Sequence, residues 1–590
     1  MLDFKFINIH FPVSEYADSY KSEFSKKASA FFEDIVIKSG ISEKANEKLV
    51  NEIKQLKDKL SNLSTRHSLW QIAMIVLIMI LVIGVVITAV MISKGQTGNV
   101  YALLALIWIP SLVVWIFALK HTIKKIKQFK TDILKTQPIL SAKQKEAWDM
   151  MLPVNRQFQW ETVNNLIAQV LPILEIDRFF NRARLDQLCK EYGMENFGDD
   201  SSVNCCQSGT INGNPWVIAD ITSQDWINVT YHGSKTITYS SYESYTDGEG
   251  NTKYRWVTRL QTLHATHTEK KPRYTRNKVL IFGFKNDLKD LCFSRKPMNV
   301  AGNSYLEKRK IKELQKLARD FKITVMNNDK FDASFYAIDR NDEVKFRTLF
   351  DASAQKAIYD LLKDKKEGYG DDFSFKKKGN INILYSQHLN TTEISGDPKR
   401  FLNYDLKESR KNFNDFCTEY FRSFFFAFAP IFAADTYQTH NWLDDAFPTA
   451  PGKDFASAYE CEALANYMDD GMFSPEHADT QNILKARNES EIGDTSSVII
   501  TAKAFKIEKC CTYVTKWGRD GLPHDVPVKY DLYVPVFKNT RLKISNPKTE
   551  NSIDFDEKSK TKEWSDHIDG IGADSKTQVY RRGLAAFISK

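Results

Sequence analysis

The sequence predicts an α+β protein: a two-helix transmembrane hairpin, a helical coiled-coil stalk and a large cytoplasmic α+β body. Three observations carry this reading. Two long apolar runs stand close together in the first fifth of the chain, and spaced apolar stripes flank them on both sides. The rest of the chain alternates helix-period segments with β-rich runs broken by turn signals.

The first apolar run, Trp70–Ile92, reads WQIAMIVLIMILVIGVVITAVMI and contains no charged side chain. The second extends from Val100 to Leu119. Each has about 20 residues or more, enough helix to cross a hydrocarbon core of roughly 30 Å. The connector is too short for a domain, so spans 70–92 and 100–119 are expected to form an antiparallel hairpin. Pro110 is expected to bend the second span, which a partner helix accommodates. Trp70, Trp108 and Trp115 are candidate interfacial anchors, with Trp108 deepest in its span.

Charge sets the orientation. Residues 93–99 carry one cation, Lys94, whereas Lys54, Lys57, Lys59 and Arg66 precede the first span. Lys120, Lys124, Lys125, Lys127 and Lys130 follow the second. Lysine and arginine near span ends are retained on the cytoplasmic side. The expected location is therefore the cell membrane, with both termini cytoplasmic and residues 93–99 extracytoplasmic. Anionic headgroups are expected against Lys120, Lys124, Lys125 and Lys127, at about 1 kcal/mol each. The first 40 residues are charged throughout and lack an apolar h-region, so no cleavable signal peptide is expected.

Composition bounds the remainder. With 590 residues, 42% of them hydrophobic, the chain can hold several packed domains. A net charge of +8, much of it juxtamembrane lysine, gives no nucleic-acid footprint. Eight cysteines, as two vicinal pairs and four singletons, do not form a disulfide framework and suit a reducing compartment.

In order, the N-terminal block 1–69 holds a helix at Ser14–Lys38, capped by Ser14 and ended by Gly40, with the stripe Tyr16, Tyr20, Phe24, Phe31 and Ile35. Leu49, Ile53, Leu56, Leu60 and Leu63 follow 4-3-4-3 spacing into the first span. Beyond the hairpin (70–119), Leu119, Ile123, Ile126 and Ile133 continue an apolar stripe. The economical model pairs the two stripes within one chain as a stalk, pairing between protomers being the alternative. Block 120–196 stays helical, with Pro153 and Pro172 marking breaks or first turns.

Block 197–300 is β-rich. Runs at Trp216–Thr222, Trp226–Tyr231, Thr236–Tyr245, Tyr254–Thr268 and Lys278–Phe284 read as strands, with Asn212-Gly213 and Asp247–Gly250 as turns. Several look too polar to be central, so one hairpin is expected to project. Block 301–430 reads as a helix at Ser304–Arg319, strands at Lys322–Met326 and Phe331–Ile338 around the turn Asn327–Asp329, and a helix at Asp342–Lys363. A β pair at Phe373–Lys377 and Asn380–Tyr385 and an aromatic helix at Lys399–Ala427 complete it. Block 431–590 reads as an acidic, irregular stretch with one helix, Phe455–Met468, and then strands at Ser497–Thr515 and Val528–Phe537.

This order of parts resembles an uncharacterised bacterial family of hairpin-anchored membrane proteins, a domain of unknown function, over roughly residues 60–430. The residues that carry the resemblance are Phe321–Asp329 with Ala333–Ile338, Phe373–Phe375 and Asn382–Tyr385, and upstream Gly209–Ile221 with Lys278–Phe284. It implies a bacterial membrane protein of unknown activity, and transfers no functional residue. Residues from about 431 onward depart from it.

Candidate chemistry is sparse. Tyr467-Met468-Asp469-Asp470 spells a reverse-transcriptase motif, but it sits at the end of a helix with Gly471 as its cap rather than in the β-hairpin that Mg²⁺ ligation needs. Cys205-Cys206 and Cys510-Cys511 lack zinc spacing, because adjacent strand residues face opposite ways. His264 and His267, three apart in a strand, do the same. The densest set of ligand types is His440, Asp444, Asp445, Glu460, Glu462, His477 and Asp479, among which His440, Glu462 and His477 are the candidate metal ligands. Phosphate-cradling loops and a Gly-x-Ser-x-Gly elbow are missing. The expected function is a membrane-anchored, non-enzymatic scaffold with a protein partner or a second copy and no cofactor. The alternative is a membrane-tethered hydrolase with its site in residues 433–488.

Overall fold

The computed structural model describes residues 8–93, 98–320, 323–441, 455–468, 470–493, 495–545 and 578–588. Contacts divide the chain into two units: Met1–Ala28, Gln159–Asp397 and Phe416–Lys590 form one, and Ser29–Phe158 with Pro398–Asp415 the other.

The first unit is built on two antiparallel sheets. In one, β2 (Ser201–Ile211) turns into β3 (Asn214–Thr246) through Asn212 and Gly213, whose φ angles of 47° and 80° are the left-handed pair of a tight hairpin. β3 returns as β4 (Thr252–Gly283) across a turn in which the Asp247 carboxylate accepts the Glu249 and Asn251 N–H groups at 3.1 and 2.9 Å. The five short strands expected between Trp216 and Phe284 are therefore two continuous ones of 33 and 32 residues. Polar threonines and serines do not interrupt them, because β-branched and alternating residues sustain a pleat whether or not one face is buried.

With β1 (Leu174–Ile176), β5 (Phe293–Arg295), β6 (Phe373–Lys378) and β7 (Ile381–Ser386), this sheet has the order β1-β2-β3-β4-β7-β6-β5. The pairing of Leu280 with Leu384 and Phe282 with Asn382 joins β4 to β7. One sheet thus spans the blocks 197–300 and 301–430 that the sequence suggested as separate domains. Backbone pairing between distant segments leaves no local sequence signal. The second sheet has the order β11-β12-β10-β9-β8, from β8 (Ile483–Ile492), β9 (Thr495–Trp517), β10 (Pro523–Ser545), β11 (Gln578–Arg581) and β12 (Leu584–Ile588).

Between the sheets lies the helix Ala458–Tyr467. Its Tyr459 and Ala463 pack with Val203, Val217 and Ile281 of the first sheet, while Cys461, Leu464 and Ala465 pack with Val498, Ile500 and Leu542 of the second. Ser457 caps it by accepting the Glu460 N–H at 3.2 Å. The helix expected at Phe455–Met468 is present over Ala458–Tyr467, and it lies buried at the centre of the unit rather than on an acidic surface. Its two glutamates mask an all-round apolar surface. The described helix ends at Tyr467, and Gly471 falls inside a further short helix, Asp470–Phe473, instead of capping the first. Asp469 lies outside the described residues.

A second correction concerns Phe331–Ile338. Residues 323–328 are coil, and Asp329–Phe335 is a helix capped by Asn328, which accepts the Phe331 N–H at 3.1 Å. An Asn-Asp pair suits an N-cap as well as a turn, so this part of the family resemblance finds no strand–turn–strand here. Residues 321 and 322 lie outside the described residues. The expected helix Asp342–Lys363 is two, Glu343–Leu349 and Ala352–Lys363, each capped by an aspartate, Asp342 and Asp351.

The aromatic helix runs over Leu406–Phe432. In the first unit its Phe424 and Phe428 meet the edge of Trp216 at centroid separations of 6.0 and 5.0 Å. Its Phe421 stacks on Phe24 at 4.1 Å. The N-terminal helix begins at Pro12 rather than Ser14, as α1 (Pro12–Glu15), with a π-helical turn at Tyr16–Tyr20 before α2 (Lys21–Ser39), and Gly40 follows at φ 65°. Tyr16, Phe24 and Ile35 of its stripe are buried.

The second unit contains two long helices, α3 (Glu43–Ser93) and α4 (Gly98–Asn155). They pair antiparallel: Leu49 and Ile53 share a core with Leu140 and Ala147, Trp70 meets His121 edge-on at 5.7 Å, and the Trp115 indole N–H donates to the Leu77 carbonyl at 2.9 Å. Leu56 and Leu60 pack against the same core, so the seam joins two helices of one chain. Pro153 does not break α4, which continues to Asn155.

Candidate membrane-anchoring site

A helix buried in a soluble core hides its apolar side chains, whereas one that meets hydrocarbon leaves them unshielded by protein. Among the described residues, α3 supplies one helix long and apolar enough to cross a membrane, over Glu43–Val86, and none of its apolar window is buried. Ile72, Ile75, Met79, Ile80, Val82 and Ile83 are all more than half exposed. On α4 the side chains from 101 to 112, including Trp108 and Pro110, lie outside the description. From Val113 onward the same pattern resumes, with Val114 69% and Phe117 71% exposed.

Such exposure is unfavourable in water. At about 25 cal/mol per Å² of apolar surface, each of these side chains gains roughly 1.5–3 kcal/mol on transfer out of it. The Trp115–Leu77 bond fixes the pairing of the helices within the apolar zone, where an interhelical bond is worth about 0.6–2 kcal/mol.

The apolar zone ends abruptly in cations. Arg66 stands one turn before Trp70 on α3, and Lys120, Lys124, Lys125, Lys127 and Lys130 follow Leu119 on α4. The Trp70–His121 contact puts these two clusters at the same level of the antiparallel pair. Lys120, Lys124, Lys127 and Lys130 are exposed and Lys125 half-exposed. Lys57 donates to the Tyr404 hydroxyl at 2.8 Å. The collar is available to an anionic surface.

Comparison with protein-family models, with curated proteins and with solved structures found no match.

The residues proposed from sequence as metal ligands are placed as follows. Glu462 is buried on the central helix; its Oε2 accepts the Val203 N–H at 3.0 Å, and its Oε1 meets Lys485 at 3.0 Å and the Ala486 N–H at 3.4 Å. Burial pushes its carboxyl above the usual range, against the pull of Lys485. Both oxygens are committed to tying the helix to the two sheets. His477 lies in a turn at φ 63°, and His440 follows the 3₁₀ turn Asp435–Gln438. Asp444 and Asp445 lie outside the described residues. Among those described, no group of three or more His, Cys, Asp and Glu is disposed to hold a metal ion.

The vicinal cysteines part company. Cys205 and Cys206 pair in regular register and so face opposite ways, and both are buried because both faces of β2 are covered from Cys205 to Ile211. The Cys206 thiol donates to Glu460 Oε2 at 3.2 Å, and burial pushes its pKa up. Cys510 is half-buried and Cys511 exposed on β9. His264 is exposed, and His267 lies half-buried against Tyr530.

Sequence reasoning missed a buried pair of arginines. Arg581 donates to Cys205 Sγ at 2.9 Å and to the Ala463 carbonyl at 3.2 Å, and its guanidinium lies over Trp160 and Tyr467. Arg582 donates to the carbonyls of Cys206 and Ser395. An Arg-Arg pair near a chain end ordinarily reads as solvated, so no sequence signal marked it. His388 was missed likewise. It stacks on Tyr369 at 4.0 Å, with one ring nitrogen on Asp372 and the other 3.1 Å from the Ser423 carbonyl.

Proposed function

We propose that this chain is a membrane-anchored scaffold of the hairpin-anchored kind its sequence resembles, non-enzymatic, with two spans at 70–92 and 100–119 and an α+β body in the cytoplasm. The single observation that carries the reading is the unburied apolar stretch of α3 ending in an unshielded basic collar. The collar supports anionic lipid as the surface partner, and its cations support cytoplasmic termini with residues 93–99 on the far side. The commitment of Glu462, Arg581 and His388 to structural bonds supports a body that binds a protein partner rather than turns over a substrate.

Purification in mild detergent with native mass measurement tests this. Wild-type protein is expected to retain phosphatidylglycerol over phosphatidylcholine. The joint substitutions Lys120→Gln, Lys124→Gln, Lys125→Gln and Lys127→Gln are expected to lower that preference by up to about 4 kcal/mol at low salt. Equal retention of both lipids by both proteins would remove the collar from the account. A partner protein is expected to co-purify in fixed ratio, and a substrate turned over by the pure chain would replace the scaffold reading.

A further inference from the structure

We infer that the outward face of the β3–β4 ribbon is the interface on which a second copy of this chain docks. Beyond Ser223 on β3 and before Leu280 on β4 neither strand has another neighbour in its sheet, so β3 and β4 form a two-stranded ribbon that continues to the turn at 247–251. Such a ribbon is marginal in water unless something covers it. One face is covered. Ile237, Leu263 and Ala265 pack on Val526 and Val528 of β10, and a Cβ on Gly233 would meet the Pro527 carbonyl at 2.1 Å, so glycine permits the close approach.

The other face, from the Thr230–Thr268 rung to the Thr246–Thr252 rung, is open and carries no charge. Its 18 residues over nine rungs are nine threonines, three serines, two histidines, Tyr242, Tyr254, Trp256 and Leu260. Trp256 is 71% and Leu260 74% exposed. The intervening rungs, which face the other way, hold Lys235, Glu243, Lys253, Arg255 and Arg259. The outward face of the β9–β10 ribbon is charged as well, with Lys509 bound to Asp531 at 2.6 Å and Lys529 exposed beside it. In a chain that is 26% charged, an open face this long ordinarily carries lysines or glutamates to prevent sheet association. This one does not.

A second copy is the occupant that fits. A twofold axis places the face against itself, and a face with no charge meets no like charge there. At about 3.3 Å per residue the face is roughly 50 Å long, and at about 10 Å wide two copies bury on the order of 1,000 Å², the threshold of a specific interface. Tyr242, Tyr254 and Trp256, whose rings lie within 5.0–5.3 Å of Tyr242, are aromatic anchors of the type that dominates such interfaces. A glycan is disfavoured, because the face has no carboxylate, carboxamide or guanidinium to hold sugar hydroxyls.

The inference rests on the ribbon alone and not on the membrane reading. Its test is the native mass of the full chain in mild detergent. Wild-type protein is expected to hold two copies of the 68.0 kDa chain, whatever partner or lipid accompanies them. Leu260→Glu and, independently, Thr258→Lys each bury an unpaired charge at the axis and are expected to raise the dimer Kd at least about 100-fold. Lys529→Glu, on the charged face, leaves the dimer intact. A monomeric wild type, or a dimer that persists in both ribbon variants, overturns the inference.

Discussion

The double substitution Ile78→Arg, Val82→Arg is expected to move the chain from the carbonate-resistant membrane pellet to the soluble or aggregated fraction. Both side chains sit mid-stretch on α3, exposed at 43% and 53%. At the centre of a span an isoleucine or valine contributes about −0.3 to −0.6 kcal/mol to insertion and an arginine about +2.5 to +3.5. The pair therefore costs on the order of 6 kcal/mol. The residues lie one turn apart, so both charges fall on one face and cannot both reach the headgroups. Were α3 a docked helix of a soluble protein, the same substitutions on a solvent-facing surface would leave fractionation unchanged.

Asp371→Ala is expected to cost about 3–5 kcal/mol and to lower the unfolding midpoint by on the order of 10 °C. Arg295 and Asp371 form an ion pair with side-chain exposures of 0% and 1%. The other Asp371 oxygen accepts the Met298 and Asn299 N–H groups at 2.7 and 2.8 Å, and Arg295 also donates to the Phe373 carbonyl at 2.8 Å. Removing the carboxylate strands a guanidinium that lies over Phe335 and Phe373, at 5.4 and 4.5 Å, together with two amides. The double variant Arg295→Met, Asp371→Leu leaves no orphaned charge and is expected to recover most of the loss. Tryptophan fluorescence during heating reads both. A double variant no better than the single would mean that the pair stabilises by more than avoiding an unpaired charge.

Much of the local structure was legible where short-range physics fixes it. The 4-3-4-3 spacing of Leu49, Ile53, Leu56 and Leu60 gave the seam between α3 and α4, and Asn212-Gly213 gave a hairpin turn with both residues left-handed. The aromatic helix expected at Lys399–Ala427 is present over Leu406–Phe432, with Phe424 and Phe428 buried. What failed was set at long range. The β4–β7 pairing joins residues about 100 apart, and Glu460 and Glu462 hid the burial of the central helix because their Oε2 atoms accept the Phe180 and Val203 N–H groups and Glu462 meets Lys485, far along the chain. Asn328 could start a helix as readily as a turn, and burial of Phe331 and Phe335 decided for the helix. The basic collar was readable from residue type alone, whereas the charge-free ribbon face needed the register of 31 paired rungs to become visible.

Labelling with a membrane-impermeant maleimide on intact cells tests the central claim most directly, with the reporter Ser93→Cys at the end of α3 and the exposed native Cys511 on the body. The account predicts that the reporter labels in intact cells while Cys511 labels only after lysis. Labelling of Cys511 in intact cells, or of neither site until lysis, would contradict a cytoplasmic body held by two membrane spans.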